Sequence, residues 1–234
     1  MTVSGLRGGI IAAGDGRRLR EAGVTIPKPL VPVAGVPLIE SVIGNFTAAG
    51  IHSIVIIMNE QEHECVDWVR RRFPALDLEF IVKTTPSSLA SFREVVARLG
   101  AGPALVSTVD AWCAPADFTR FVSAAASRPG ASVLGVTTFV DDEKPLWVRL
   151  DRDRRITAIG GVAGDAVTAG LYLMSESARC RAADADLPRL RDYLAWLLEQ
   201  GEPLYGELIG TVVDVDRPAD IAVAEGLVGR GGTR

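Results

Sequence analysis

Residues 8–19 read GGIIAAGDGRRL, and residues 26–40 read IPKPLVPVAGVPLIE. An apolar run that breaks into glycines predicts a strand followed by a tight loop, because a backbone can approach phosphate oxygens closely only where no Cβ intervenes. Arg17, Arg18 and, further on, Lys28 bring positive charge to the same mouth. Arginine grips phosphate with two parallel N–H bonds and lysine acts as a point charge on a flexible stem, so the mixture suits a polyphosphate. The same glycines would also close an ordinary strand, with the arginines on a solvated face. Two familiar phosphate loops are excluded: no glycine is followed by Lys-Ser or Lys-Thr, and Leu19 stands where the dinucleotide pattern GxGxxG needs its last glycine.

Outward from this stretch, strand and helix alternate. Pro37 opens a predicted helix whose Leu38, Val42, Ile43 and Phe46 follow a helical period, ending near Gly50. SIVIIM (53–58) is a continuous apolar run, as expected of a parallel strand covered on both faces. A surface helix over 60–73, a strand at LEFIV (78–82), a helix over Leu89 to Leu99 and a strand at ALVSTV (104–109) follow. From about residue 131 four short strand-like runs come close together, which predicts an antiparallel section. DLPRLRDYLAWLLEQG (186–201) predicts a helix capped by Asp186, with Pro188 in its first turn and Gly201 as its stop. The fold class is therefore α/β, an open, mostly parallel, Rossmann-like sheet with an antiparallel section in the second half. A single domain is expected over 1–228, with a flexible tail at 229–234.

Composition narrows the partners. A chain of 234 residues that is 48% hydrophobic and 23% charged can bury a full core. The net charge is -4 and the basic residues form no long block, so no nucleic-acid partner is expected. No signal-peptide pattern opens the sequence and no apolar run reaches membrane-spanning length, so a cytoplasmic protein without membrane contact is expected, as a monomer or small homo-oligomer. Three scattered cysteines and two histidines support neither a zinc site nor a disulfide framework nor a histidine-based triad. Trp112 and Cys113 are read as packing residues.

Taken together, the two quoted stretches resemble the signature of the sugar-phosphate nucleotidyltransferases, the NDP-sugar pyrophosphorylase-like family of GT-A type, approximately LAAGxGxRL and then PKPLxPVxGxPLI. The residues here are IAAGDGRRL (11–19) and PKPLVPVAGVPLI (27–39). The resemblance implies that Ala12, Ala13, Gly14, Asp15 and Gly16 wrap the nucleotide, with Arg17 beside them where the family has a small Thr or Ser. It implies further that Arg18 holds the leaving pyrophosphate and Lys28 the phosphates between nucleotide and sugar. Lys28 lies between two prolines without an evident core role, so its loss is expected to cost little stability. Ser87 and Ser88 are the nearest matches to the family segment that contacts base and ribose. The resemblance divides the domain into a nucleotide-binding half, about 1–110, and an acceptor-binding half, about 111–228.

Two aspartates stand out against this background. Asp110 ends the strand in ALVSTVDAW (104–112), where it could cap a turn or hold a hard divalent ion, since Mg²⁺ usually takes one or two carboxylates together with substrate phosphates. The family carries a metal-binding aspartate after this strand, preceded by glycine where Val109 stands here. In VVDVDRPADIAVAEGLV (212–228), Asp214 lies inside an apolar strand and matches the second metal ligand of the family's closing motif. Asp216 and Asp220 are read as helix-capping and dipole-complementing residues.

In the middle of the chain the family's sugar clamp is missing. Trp147-Val148 and Gly160-Gly161 stand in its place, and Glu143-Lys144-Pro145 precedes them beside a polar turn at Asp141 and Asp142. Trp147, Thr168 and Gly170 are the acceptor-binding candidates, although Thr168 and Gly170 would equally serve as plain sheet residues. The resemblance implies an Mg²⁺-dependent enzyme that transfers NMP from an NTP to a phosphorylated small molecule, a sugar phosphate first of all, giving NDP-sugar and pyrophosphate. The altered middle leaves open a non-sugar acceptor (a phosphorylated alditol or amino alcohol, or molybdopterin) and a nucleotide sensor without turnover.

Overall fold

The computed structural model describes residues 5–140 and 143–231. The first half runs β1 (Arg7–Ala12), α1 (Arg17–Glu21), a small hairpin of β2 (Pro32–Val33) and β3 (Val36–Pro37), and α2 (Leu38–Ala48). Then come β4 (Ser53–Met58), α3 (His63–Arg72), β5 (Asp77–Val82), α4 (Ser88–Val96) and β6 (Ala104–Thr108). The second half begins with β7 (Ala111–Cys113), α5 (Pro115–Ala126), β8 (Ser132–Thr137), β9 (Trp147–Leu150) and β10 (Ile156–Ile159). It closes with β11 (Ala166–Met174), α6 (Glu176–Cys180), α7 (Leu190–Glu199), β12 (Leu204–Leu208), β13 (Val212–Asp214) and α8 (Pro218–Gly231).

Nine strands form one mixed sheet in the order β10-β9-β11-β6-β1-β4-β5, with β8 paired to β11 and β12 to β8. The pairs of β1 with β4 and β6, and of β4 with β5, are parallel, whereas β11 runs antiparallel to β6, β8 and β9. The expected α/β sheet with an antiparallel second half is thus present. Side chains alternate across it as the period of a strand requires: Ile10 and Ala12 join one core layer with α2, α3 and α5, while Ile11 and Ala13 join the other with α4 and α7. Both faces being covered explains why SIVIIM carries no polar alternation. Packing of α2 on α5 brings the Phe46 and Phe118 rings to 5.3 Å between centroids.

Three expectations change. Helix α7 begins at Leu190 rather than after Asp186, because the Leu190 N–H finds its partner in Ser88 Oγ (3.1 Å), 102 residues away, which local sequence cannot reveal. Gly201 does stop it, with φ +77°. Helix α8 continues to Gly231, through the first residues of the expected tail, while 232–234 and the polar turn at Asp141 and Asp142 lie outside the described residues. The short β7 and the parallel β12 are additions to the predicted elements. Pairing of β7 with β13 sets Asp214 opposite Ala111, directly beside Asp110.

Candidate active site

The glycine loop leaves β1 and turns into α1 through Gly16, whose φ is +57°. A Cβ there would sit 3.0 Å from the Lys28 Cβ, so both the left-handed backbone and the close approach of the lysine segment require glycine. Ala12 and Ala13 bury their side chains in the two core layers. Asp15 accepts the Arg17 N–H (3.2 Å) and pairs with Arg20 (3.4 Å). Adjacent arginines point about 100° apart on a helix. Accordingly Arg17 faces solvent with Glu21 (3.9 Å), while Arg18 turns inward to Asp216 Oδ2 (2.7 Å).

Lys28 is the centre of the arrangement. Its side chain is only 7% exposed, and its ammonium donates to Asp110 Oδ2 at 2.6 Å and to Asp216 Oδ1. Burial disfavours its charge, yet Asp110, Asp216 and Asp214 outweigh that and raise its pKa. Burial likewise opposes the charge on Asp110, and Lys28 together with hydrogen bonds from Lys28 and Thr108 reverses it, so the carboxyl is held below its usual range. Asp110, Asp214 and Asp216 can each offer one carboxylate oxygen with all three oxygens within 4.8 Å of one another. Three hard oxygen donors so placed fit Mg²⁺.

Asp216 is therefore a correction to the sequence reading. Its carboxylate ties Arg18 to Lys28 instead of capping α8, and the cap is supplied by Asp220, whose Oδ2 accepts the N–H groups of Asp216 (2.8 Å) and Arg217 (2.6 Å). The expectation that Lys28 lacks a structural role also fails, since it neutralises two carboxylates.

A cavity of about 380 Å³ opens beside this network, lined by Arg18 and the three aspartates on one side and by strands β8 and β11 with the start of α7 on the other. Ser88, Thr168 and Gly170 line it. Gly170, at φ +69°, sits where a Cβ would lie 2.6 Å from Thr108 Oγ1 and 2.8 Å from the Ala111 Cβ, so close packing of β11 demands glycine. Trp147 does not reach this lining; it pairs with Val167 in the sheet, and Lys144, Pro145 and Leu146 just before it line the cavity instead. Ser87 caps α4 by accepting the Ala90 N–H (3.2 Å). Cys113 lies in the core, and burial pushes its thiol up to about 12.

On the other side of Lys28 a smaller cavity, about 140 Å³, is lined by Asp15, Gly16, Arg20, Asn59 and Glu62. Glu62 Oε2 is buried there without a hydrogen-bond partner among the described residues, and burial lifts the carboxyl from 4.5 to about 7 against the pull of Arg20. Nothing in the local sequence around Glu62 signals this, because Asp15, Gly16, Arg20 and Lys28, which line the same cavity, come from a distant segment of the chain.

The fold is that of a nucleotidyltransferase: the inositol-1-phosphate CTP transferase of T. maritima superposes with a TM-score of 0.81 at 20% identity, covering 95% of each chain. Residues 8–171 match the MobA-like NTP transferase domain, and the chain belongs to that family. It is 29% identical over 181 residues to the CMP-5'-(3-aminopropyl)phosphonate synthase of Streptomyces rubellomurinus, covering 74% of this chain and 28% of that protein. It is 30% identical over 247 residues to the bifunctional IPC transferase and DIPP synthase of Rubrobacter xylanophilus, covering 96% of this chain and 52% of that protein. The chain thus spans about half the length, or less, of these two relatives. Among the described residues no helix is long and apolar enough to cross a membrane.

Proposed function

We propose that this protein transfers a nucleotidyl group from a nucleoside triphosphate to a phosphorylated or phosphonate-bearing small molecule and releases pyrophosphate. The observation that carries this reading is the buried Lys28 bonded to Asp110 and Asp216, which line the 380 Å³ cavity together with Arg18. An oxygen of the acceptor dianion attacks the α-phosphorus, the new P–O bond forms, and the bond from the α-phosphorus to the bridging oxygen of the β-phosphate breaks. A phosphate monoester has its second pKa near ~6, so it is largely dianionic at neutral pH and no protein base has to remove a proton.

The task left to the chain is to bring two polyanions together. The backbone of residues 12–16 and Arg18 would receive the triphosphate, and Lys28 would neutralise charge around the α-phosphate. The nucleotide-binding half, about 1–110, supplies these groups and the acceptor-binding half, about 111–228, supplies Asp214, Asp216 and most of the cavity wall. Asp110 and Asp214 would hold Mg²⁺, with Asp216 completing the set. Bound there, the ion would supply charge neutralisation across the phosphates of both substrates. A cytoplasmic setting, where nucleoside triphosphates are supplied, suits this activity.

The relatives' names point to more than one acceptor class, an inositol phosphate in one case and an aminopropylphosphonate in another. Incubation with Mg²⁺, each NTP and a panel of phosphate and phosphonate acceptors, followed by pyrophosphate detection, tests the reading. Acceptor-dependent pyrophosphate release is expected. Tight NTP binding with no release for any acceptor would favour a nucleotide sensor.

A further inference from the structure

We infer that the acceptor is a hydroxyl-poor organic phosphate or phosphonate rather than a hexose phosphate, an inference that rests on the transfer reaction proposed above. A sugar ring presents hydroxyls in every direction, and each one taken from water needs partners for its donor and for its acceptor sites. Side-chain amides and uncommitted carboxylates are the usual groups for this. Among the described residues no Asn, Gln, Glu or His lines the 380 Å³ cavity.

Two of the neutral hydroxyls that line it, Ser88 and Thr137, already make bonds within the protein. Ser88 Oγ accepts the Leu190 N–H at 3.1 Å. Thr137 Oγ1 accepts the Phe139 N–H at 3.1 Å and reaches the Gly210 carbonyl at 3.4 Å. Of the lining carboxylates, Asp110 and Asp216 hold Lys28.

Beside Asp214 and Thr168, the acceptor side offers apolar surface and positive charge. Phe139, Pro145, Leu146, Val167 and Leu190 supply the surface. Arg189, also on the lining, forks onto Asp192 with two bonds of 2.8 Å and is thereby neutralised. Arg191 gives one N–H to the Lys144 carbonyl (2.7 Å) and makes no ion pair among the described residues, so most of its guanidinium fork is free for a dianion. Arg191 lines the same cavity as the three aspartates, which puts cation and acidic cluster on one cavity. A compact dianion with an aliphatic body matches this wall.

The experiment is a comparison of kcat/KM on the intact chain with Mg²⁺ and the preferred NTP. Propyl phosphate, propylphosphonate and ethanolamine phosphate form the hydroxyl-poor arm, and glucose-1-phosphate, mannose-1-phosphate and inositol-1-phosphate the polyol arm. The best hydroxyl-poor acceptor should exceed every polyol phosphate by about 100-fold, the scale on which a pocket rejects groups it cannot pair. The phosphate and phosphonate members of the first arm separate the two sources of the dianion. Equal or better turnover of a polyol phosphate would overturn this inference and leave the transfer reaction standing. No pyrophosphate with any acceptor would overturn both.

Discussion

The Lys28 ammonium lies 2.6 Å from Asp110 Oδ2, joining two residues 82 positions apart into one buried ion pair that Asp216 closes from a third segment. A lysine so confined holds the protein's own carboxylates together, and in the proposed reaction it also meets ligand charge, so its removal has two consequences.

Lys28→Met should lower turnover by more than about 100-fold, the scale on which preorganised charge acts in transfer reactions. It should also lower stability by about 1–3 kcal/mol in metal-free buffer, because removing one partner leaves part-buried carboxylates unpaired. Added Mg²⁺ should restore part of that stability. Pyrophosphate release and urea unfolding with and without Mg²⁺ check the two effects; a variant with wild-type turnover would remove Lys28 from the phosphate path.

Asp216→Asn should weaken turnover by about 10- to 100-fold while the fold is retained, since it loosens both Arg18 and Lys28. Asp220→Ala, by contrast, removes the acceptor of two backbone N–H groups and should cost about 1 kcal/mol of stability, as the loss of a helix cap does. Urea unfolding of both variants beside their kinetics distinguishes the roles, and a stability loss confined to Asp216→Asn would reverse them.

Much of this was legible in the sequence, and the rest was hidden for identifiable reasons. The apolar runs at 8–12, 53–58 and 104–108 became strands because burial on both faces leaves an unbroken hydrophobic signature. Asp214 drew notice because an acid inside a strand has no local explanation. Asp216 did not, because Asp-Arg-Pro ahead of a helix satisfies every local rule for capping, and its real partners lie 188 and 198 residues away. Arg17 and Arg18 were indistinguishable until α1 turned one outward and one inward. Trp147 is an acceptor-contact candidate by its place in the chain, but it is Leu146, just before β9, that lines the cavity.

Glu62 predicts a pH dependence of stability. Its carboxyl holds a proton up to about 7 in the native state and only to about 4.5 when unfolded, so between those values the native state binds more protons and stability falls as pH rises. Discounted for its partial exposure, the effect is about 1–2 kcal/mol between pH 5 and pH 8. Glu62→Gln should flatten that slope and be the more stable protein at pH 8, as urea unfolding at both values will show. An unchanged slope in the variant would mean that Glu62 ionises freely.

The central claim is that Asp110 and Asp214, brought side by side by the pairing of β7 with β13, act as one metal-dependent site. Pyrophosphate release measured against Mg²⁺ concentration for Asp110→Asn, Asp214→Asn and the double variant tests it most directly. Each single change should abolish most turnover, and the double variant should fall within about threefold of the worse single, because residues acting as a unit are strongly non-additive. Independent losses that multiply in the double variant, at an unchanged Mg²⁺ dependence, would contradict the shared site.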